Sequence, residues 1–223
     1  ASAMKKLLMH RAAKPVLFIV CLLPFAWLFY AAAADQLGAN PAEALIRSLG
    51  DWTLRFLCIV LAVTPLRVMT GTPALARFRR MFGLFVAFYA LMHLLSYVAF
   101  DMEFDATEIA KDIAKRPFIL VGSLAGVLLA LMAATSFNRA IKTLGAVRWR
   151  RLHQSVYVVA ALAILHFYWM RAGKHNFAEV AVYGAILASL LGWRVWEAQR
   201  KLRLGATRPG RAKVGNAAIL QKR

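Results

Sequence analysis

Acidic residues are scarce in this chain: its 223 residues carry 10 Asp and Glu against 29 Lys and Arg, a formal net charge of +19. Cysteine is scarcer still, at Cys21 and Cys58, and neither stands in a C-x-x-C-H sequence. That excludes covalent, c-type heme attachment, and two cysteines inside apolar runs make no disulfide framework. Both read as small packing residues. No G-x-G-x-x-G stretch occurs, so the chain encodes no site for taking hydride from a nicotinamide. No long polar stretch separates the apolar runs, which excludes a second, soluble domain. Internal repeats and functional low-complexity tracts are also missing.

What fills the chain is apolar sequence. It is 61% hydrophobic with a mean hydropathy of +0.58, whereas soluble domains run nearer 45–50% apolar. The excess lies in runs near the length that crosses a hydrocarbon core about 30 Å thick. Six segments emerge, from about Pro15 to Ala34, Trp52 to Leu66 (ending at Thr64-Pro65), Met81 to Phe100, Phe118 to Phe137, Leu152 to Met170 and Phe177 to Trp196. Lipid tolerates only helices or closed barrels, and continuous runs without alternation select helices. The first run has the basic flank of a signal peptide, but at about 20 residues it exceeds the usual h-region and reads as a retained helix. Ala1-Ser2-Ala3 before Met4 reads as the remnant of an expression tag. The fold expected is an all-α membrane protein, a bundle of six transmembrane helices.

Charge sets the expected orientation. Segments 1–14, 67–80, 137–151 and 194–223 hold 22 of the 29 basic residues and one acid, Glu197. Lys and Arg stay cytoplasmic, so both termini and the 67–80 and 137–151 loops are expected inside. The segment Asp101 to Lys115, with five acids, then faces outward. A basic N-terminus over 1–14, a membrane domain over 15–196 and a basic cytoplasmic tail over 197–223 follow. The tail from Arg200 to Arg223 suits the anionic inner leaflet or disorder. A soluble chain of this charge would suggest nucleic acid. Here the positive residues flank apolar runs, so the bilayer is the partner and nucleic acid is not.

Five histidines remain to be explained. His10 and His175 fall in polar stretches and read as solvated. His93, His166 and His153 lie within or at the edge of the third and fifth helices. An ionisable residue at membrane depth is expensive and marks function by default; the alternative is a neutral imidazole hydrogen-bonded between helices. His93 lies about 13 residues past Arg80 and His166 about 15 past Arg151. At 1.5 Å per residue both reach about 20 Å from the inner edge. Two imidazoles at matched depth suit bis-histidine ligation of heme iron, which leaves no open position for oxygen and suits electron transfer. Zinc would show more ligands. His153, 13 residues before His166, suits a second heme nearer the cytoplasm. Thirteen residues leave a residual rotation of about 140° on an ideal helix, so it faces another crevice, and the matching level of the third helix carries Arg79 and Arg80.

Those two arginines, with Arg150 and Arg151, either anchor the inner face or bind propionates or a flavin phosphate. Arg55 is expected to pair with Asp51 four residues earlier. Trp52, Trp169 and Trp193 are expected as interface anchors. Three functions fit: an electron-transfer subunit with no substrate-reducing site of its own, a self-sufficient transmembrane ferric reductase, and a small transporter with histidine proton relays.

Short motifs in order carry a resemblance. They are Leu22-Leu23-Pro24-Phe25, Thr64-Pro65-Leu66, Arg79-Arg80-Met81-Phe82-Gly83-Leu84, His93-Leu94-Leu95-Ser96-Tyr97, Arg116-Pro117, and Trp149-Arg150-Arg151-Leu152-His153 with Tyr157, His166 and Trp169. From about Pro15 to Trp196 the sequence resembles the MsrQ family, formerly YedZ, heme-binding membrane subunits of the bacterial MsrPQ system. That family is similar to the membrane part of ferric reductases and NADPH oxidases. The resemblance implies heme b, one or two, with iron ligands at His93, His153 and His166. It implies a bacterial inner-membrane location and electron delivery to MsrP, a periplasmic molybdenum enzyme that reduces methionine sulfoxide in oxidised proteins. It further implies FMN, and supply from the quinone pool or a cytosolic flavin reductase. Relatives with four histidines have one at the inner level of the third helix, where this chain has none.

Overall fold

The computed structural model describes residues 2–172 and 177–206, and no strand occurs among them. Helices α1 (Ser2–Met9) and α2 (Ala13–Ala33) lead to α3 (Pro41–Met69). A 3₁₀ turn, Pro73–Phe78, feeds α4 (Arg79–Ser96), which runs on as a π-helical turn over Tyr97–Asp101. Then follow α5 (Ala106–Lys115), α6 (Pro117–Ala134), α7 (Asn138–His153), α8 (Val156–Ala172) and α9 (Ala178–Ala206). Six stretches are long and apolar enough to cross a membrane: α2, α3, α4 with its flanking turns, α6, α7 with α8, and α9. The protein is an all-α, multi-pass membrane protein. His175 and the tail beyond Ala206 lie outside the described residues.

Burial follows the bilayer. Large apolar side chains point away from the bundle, among them Phe18, Ile19, Leu23, Trp27 and Phe29 along α2. Such a surface is what a lipid-facing helix presents. The core gathers on α3, whose Leu49, Leu57 and Leu61 are fully buried against Val86 and Tyr89 of α4 and Val159 of α8.

Helix α3 begins eleven residues before the expected Trp52. Asn40 caps it, its Oδ1 accepting from the Glu43 N–H at 3.1 Å, and Pro41 takes the first helical position. Glu43, Arg47, Ser48 and Asp51 make this first stretch too polar to stand out as an apolar run. Trp52 therefore sits inside the span rather than at its end. At the other end, Pro65 was expected to stop the helix, yet α3 continues to Met69. Proline removes one donor and leaves the carbonyl four residues back without its partner. That carbonyl, Leu61 O, accepts instead from Arg194 Nη2 at 2.5 Å. Arg194 Nη1 also donates to the Tyr157 hydroxyl at 3.0 Å, so one side chain joins α3, α8 and α9.

Tyr89 does similar work on α2. Its hydroxyl accepts from the Phe25 N–H at 3.1 Å and donates to the Cys21 carbonyl at 2.8 Å. It is thus inserted into an i→i−4 pair of α2, one residue past Pro24. Both cysteines are free, Cys21 buried and Cys58 half-buried.

Two segments expected as loops are helical. The acidic segment holds α5, capped by Asp105, whose Oδ1 accepts from the Thr107 and Glu108 N–H groups. Tyr97 donates its hydroxyl to Asp112 at 2.6 Å, and Arg116 pairs with the same carboxylate. Burial works to raise the Asp112 carboxyl, but the bonds from Arg116 and Tyr97 outweigh it and hold it below its ordinary value. The basic segment 137–151 forms most of α7, bent at Gly145 with φ +74°. A turn at Gln154 and Ser155, where the Ser155 hydroxyl donates to the Leu152 carbonyl at 2.6 Å, separates α7 from α8. His153 and His166 therefore lie on different helices, and the rotation expected along one ideal helix does not apply.

Candidate functional site

His93 on α4 and His166 on α8 line one cavity of about 1190 Å³ between α3, α4, α6 and α8. Their ring centroids are 6.2 Å apart and their planes cross at 84°. The matched depth expected from the sequence is a direct juxtaposition.

Each ring is held the same way. His93 Nδ1 lies 2.8 Å from the Ile46 carbonyl oxygen, and His166 Nδ1 lies 2.6 Å from that of Phe118. A carbonyl only accepts, so Nδ1 carries the proton and Nε2 keeps its lone pair. A glycine stands one helical turn beyond each accepting carbonyl. A Cβ on Gly50 would meet His93 Nδ1 and Cε1 at 3.2 Å, and one on Gly122 would meet His166 Nδ1 at 2.8 Å. The Nδ1–Cε1 edge of each imidazole lies against a glycine, with the tighter approach at Gly122. Orientation of a histidine by a backbone acceptor on its second nitrogen is the usual support of a metal-binding imidazole.

These features fit one kind of metal group. Among the described residues no cluster of three or more His, Cys, Asp or Glu is placed to hold a bare ion. Two metal–imidazole bonds of about 2 Å each, as on zinc, fit between rings 6.2 Å apart. A metal so bound must bring its other ligands with it, and the cavity has the volume and apolar walls, Leu54, Leu57, Val86, Ala125, Leu129 and Val159 among them, for a porphyrin.

His153 lies apart from this pair, at the last position of α7. Its Nε2 is 3.2 Å from the Thr135 hydroxyl, and its ring stacks on Trp149 with centroids 4.1 Å apart. Trp149 in turn donates Nε1 to the Thr135 carbonyl at 2.9 Å. Of the flanking arginines, Arg80 donates to Asn138 Oδ1 at 2.9 Å. Arg55 does not pair with Asp51 as expected: its Nε donates to the Tyr183 hydroxyl at 3.1 Å and its guanidinium covers Trp52 at 4.6 Å. His10 is exposed, its Nδ1 accepting from the Ala12 N–H at 3.2 Å.

A family model described as "Ferric reductase like transmembrane component" matches residues 49–164, which include Gly50, His93, Gly122 and His153. The "Protein-methionine-sulfoxide reductase heme-binding subunit MsrQ" of Polaromonas naphthalenivorans (strain CJ2) is 70% identical over 199 residues, 89% of this chain and 91% of that protein. The chain belongs to the MsrQ family. MsrQ proteins of Herminiimonas arsenicoxydans (52% identity, 84% of this chain and 86% of theirs) and Caulobacter vibrioides (43%, 83% and 87%) carry the same description. No solved structure matches.

In this MsrQ family member His93 and His166 line one cavity, and the groups that seat them were not legible in the sequence. Gly50 and Gly122 left one signal: each is a glycine inside an apolar helix, where it costs about 1 kcal/mol relative to alanine. Gly83 and Gly126 share that signal without touching a histidine, so it does not discriminate. The accepting carbonyls of Ile46 and Phe118 leave no trace in side-chain identity.

Proposed function

We propose that this chain is a transmembrane electron-transfer subunit that holds b-type heme between His93 and His166. The observation that carries this reading is the pair of Nδ1–carbonyl bonds, which leave both Nε2 atoms free in one cavity. Noncovalent binding follows from the absence of any C-x-x-C-H sequence. Heme held by these two imidazoles would supply one-electron transfer and would leave oxygen no open position. The protein's part is to fix the rings and keep them basic. The Ile46 and Phe118 carbonyls polarise the imidazoles, Gly50 and Gly122 let them lie against the backbone, and the apolar walls exclude water.

His153 is the ligand we assign to a second heme. Its ring stacks on Trp149, and among the described residues its Nε2 is engaged by the neutral Thr135 hydroxyl alone, a bond that iron would replace. Arg79, Arg80, Arg150 and Arg151 stand near this level and suit propionates or the phosphate of FMN.

The charge distribution supports a bacterial inner-membrane orientation with both termini cytoplasmic, 197–223 as a basic cytoplasmic tail and α5 on the periplasmic side. The names of the relatives support a partner that reduces methionine sulfoxide. We infer a periplasmic MsrP-like molybdenum enzyme as acceptor, and the quinone pool or a cytosolic flavin reductase as donor. The ferric reductase-like match also supports a second reading, a self-sufficient ferric reductase.

The deciding experiment is the reduced-minus-oxidised absorption spectrum and heme content of the purified protein and of His93→Ala and His166→Ala. Low-spin b-type bands in the parent and loss of one heme in each variant are expected. Full heme content with parental spectra in both variants would refute the site. Reduction of an MsrP-like enzyme against ferric chelates separates the two functional readings.

A further inference from the structure

The cavity between α3, α4, α6 and α8 is lined mainly by apolar side chains, and its charged groups gather: Asp101 lies within electrostatic reach of both Arg116 and Glu43, and Glu43 pairs with Arg47. Among them stand two guanidiniums, those of Arg47 and Arg116. Among the described residues no other Lys or Arg borders the cavity. Arg47 directly follows Ile46, whose carbonyl seats His93, and Arg116 comes two residues before Phe118, whose carbonyl seats His166. Each residue that seats an imidazole thus stands within two positions of a cavity-lining arginine. Both arginines belong to helix N-terminal ends: Arg47 lies in the second turn of α3, and Arg116 is the cap residue of α6.

A b-type heme is amphipathic in the matching sense. Its macrocycle is apolar, and its two propionate carboxylates leave from one edge. We propose that Arg47 and Arg116 each bind a propionate, so that the macrocycle enters the cavity with its carboxylate edge at the two arginines. This rests on heme being held by His93 and His166. Guanidinium suits a carboxylate because its donors form a planar fork. Existing partners do not exhaust those donors. Arg116 pairs with Asp112 through Nε and Arg47 with Glu43 through Nη2, and a guanidinium has five N–H donors to share. Arg116 is held in place, since Tyr97 fixes the Asp112 carboxylate with which it pairs. Glu43, Asp51 and Asp101 also border the cavity. Their charge works against a carboxylate placed beside them, which favours positions against the two guanidiniums.

The test compares hemin with hemin dimethyl ester, in which both carboxylates are masked. Full-length protein is produced in heme-deficient cells and titrated with each compound, both as the parent and as Arg47→Gln, Arg116→Gln and the double variant. Hydrogen bonds to charged groups are worth about 1.5–3 kcal/mol, so the parent is expected to bind the diester roughly tenfold or more weaker than hemin. The single variants lose part of that preference, and the double variant loses it altogether. The low-spin spectrum of bound heme stays unchanged throughout, because the imidazoles are untouched. Equal affinity of the parent for both compounds overturns the proposal, and that arm needs no variant to fold. A double variant that still prefers hemin overturns it as well. Failure of the axial assignment reads out separately, as loss of the bis-imidazole spectrum from the parent with either compound.

Discussion

A Cβ on Gly122 would stand 2.8 Å from Nδ1 of His166, closer than real Cβ atoms approach a ring nitrogen. The ring cannot retreat without giving up its 2.6 Å bond to the Phe118 carbonyl. Gly122→Ala is therefore expected to turn His166 away and lose most of the low-spin heme signal, although alanine favours the helix by about 1 kcal/mol. At Gly50 the approach to His93 is 3.2 Å, a contact that a shift of a few tenths of an ångström relieves. Gly50→Ala is expected to keep its heme with a weakened or shifted signal. Heme content and absorption spectra of the two variants measure the difference, and equal behaviour would contradict the glycine geometry.

The membrane helices and the histidine pair were legible because both are written in side chains: apolar runs for the first, and matched depth from the basic flanks for the second. Three things were not. The first stretch of α3 is polar on the page because Glu43, Arg47 and Asp51 border a cavity that a hydropathy reading cannot see. Pro65 reads as a stop because its remedy, Arg194, lies 129 residues away in the chain. The break at Gln154 and Ser155 leaves no Gly or Pro signal, so 137–151 reads as a loop and the fifth helix reads as starting at Leu152, before the break.

Arg194 also gives a stability prediction. Arg194→Ala leaves the Leu61 carbonyl without its donor and the Tyr157 hydroxyl without its partner. A buried acceptor left unsatisfied costs about 1–3 kcal/mol. The variant is expected to unfold at lower temperature in detergent, with Arg194→Lys between it and the parent. The spectrum of heme held by His93 and His166 should not change in the folded fraction, since Arg194 does not border their cavity. An unshifted unfolding midpoint for Arg194→Ala would show that another donor caps Leu61.

For His153, the expected outcome depends on Thr135. His153→Ala should lose one heme while the His93 and His166 signal persists. Thr135→Val removes the competing hydroxyl from Nε2 at 3.2 Å and keeps the side chain's shape. It is expected to retain both hemes and to bind the second more tightly. A lone imidazole also leaves the second iron open to carbon monoxide, unlike the pair. Heme per protein and carbon monoxide difference spectra decide, and an unchanged heme count in His153→Ala would leave His153 as a hydrogen-bonding residue of the α6–α7 junction.

The last prediction concerns acid. Asp112 accepts from Tyr97 and pairs with Arg116, and its carboxyl is held below the ordinary value despite partial burial. A carboxyl with a lowered folded-state pKa stabilises the fold wherever the unfolded chain would be ionised, above about pH 3.9. That contribution is lost as pH falls through the lower, folded value. Between pH 7 and pH 5 the parent should therefore hold α5 in place with no pH dependence from this group. Asp112→Asn is expected to loosen α5 at neutral pH, seen as faster amide exchange over residues 106–115. The difference between parent and variant should shrink as pH drops below about 4, because protonation removes from the parent what the substitution removed from the variant. A difference of constant size down to the lowest accessible pH would mean that the Asp112 charge contributes nothing to the hold of α5, and that packing of Ile109 and Ile113 at the cavity rim keeps the helix in place.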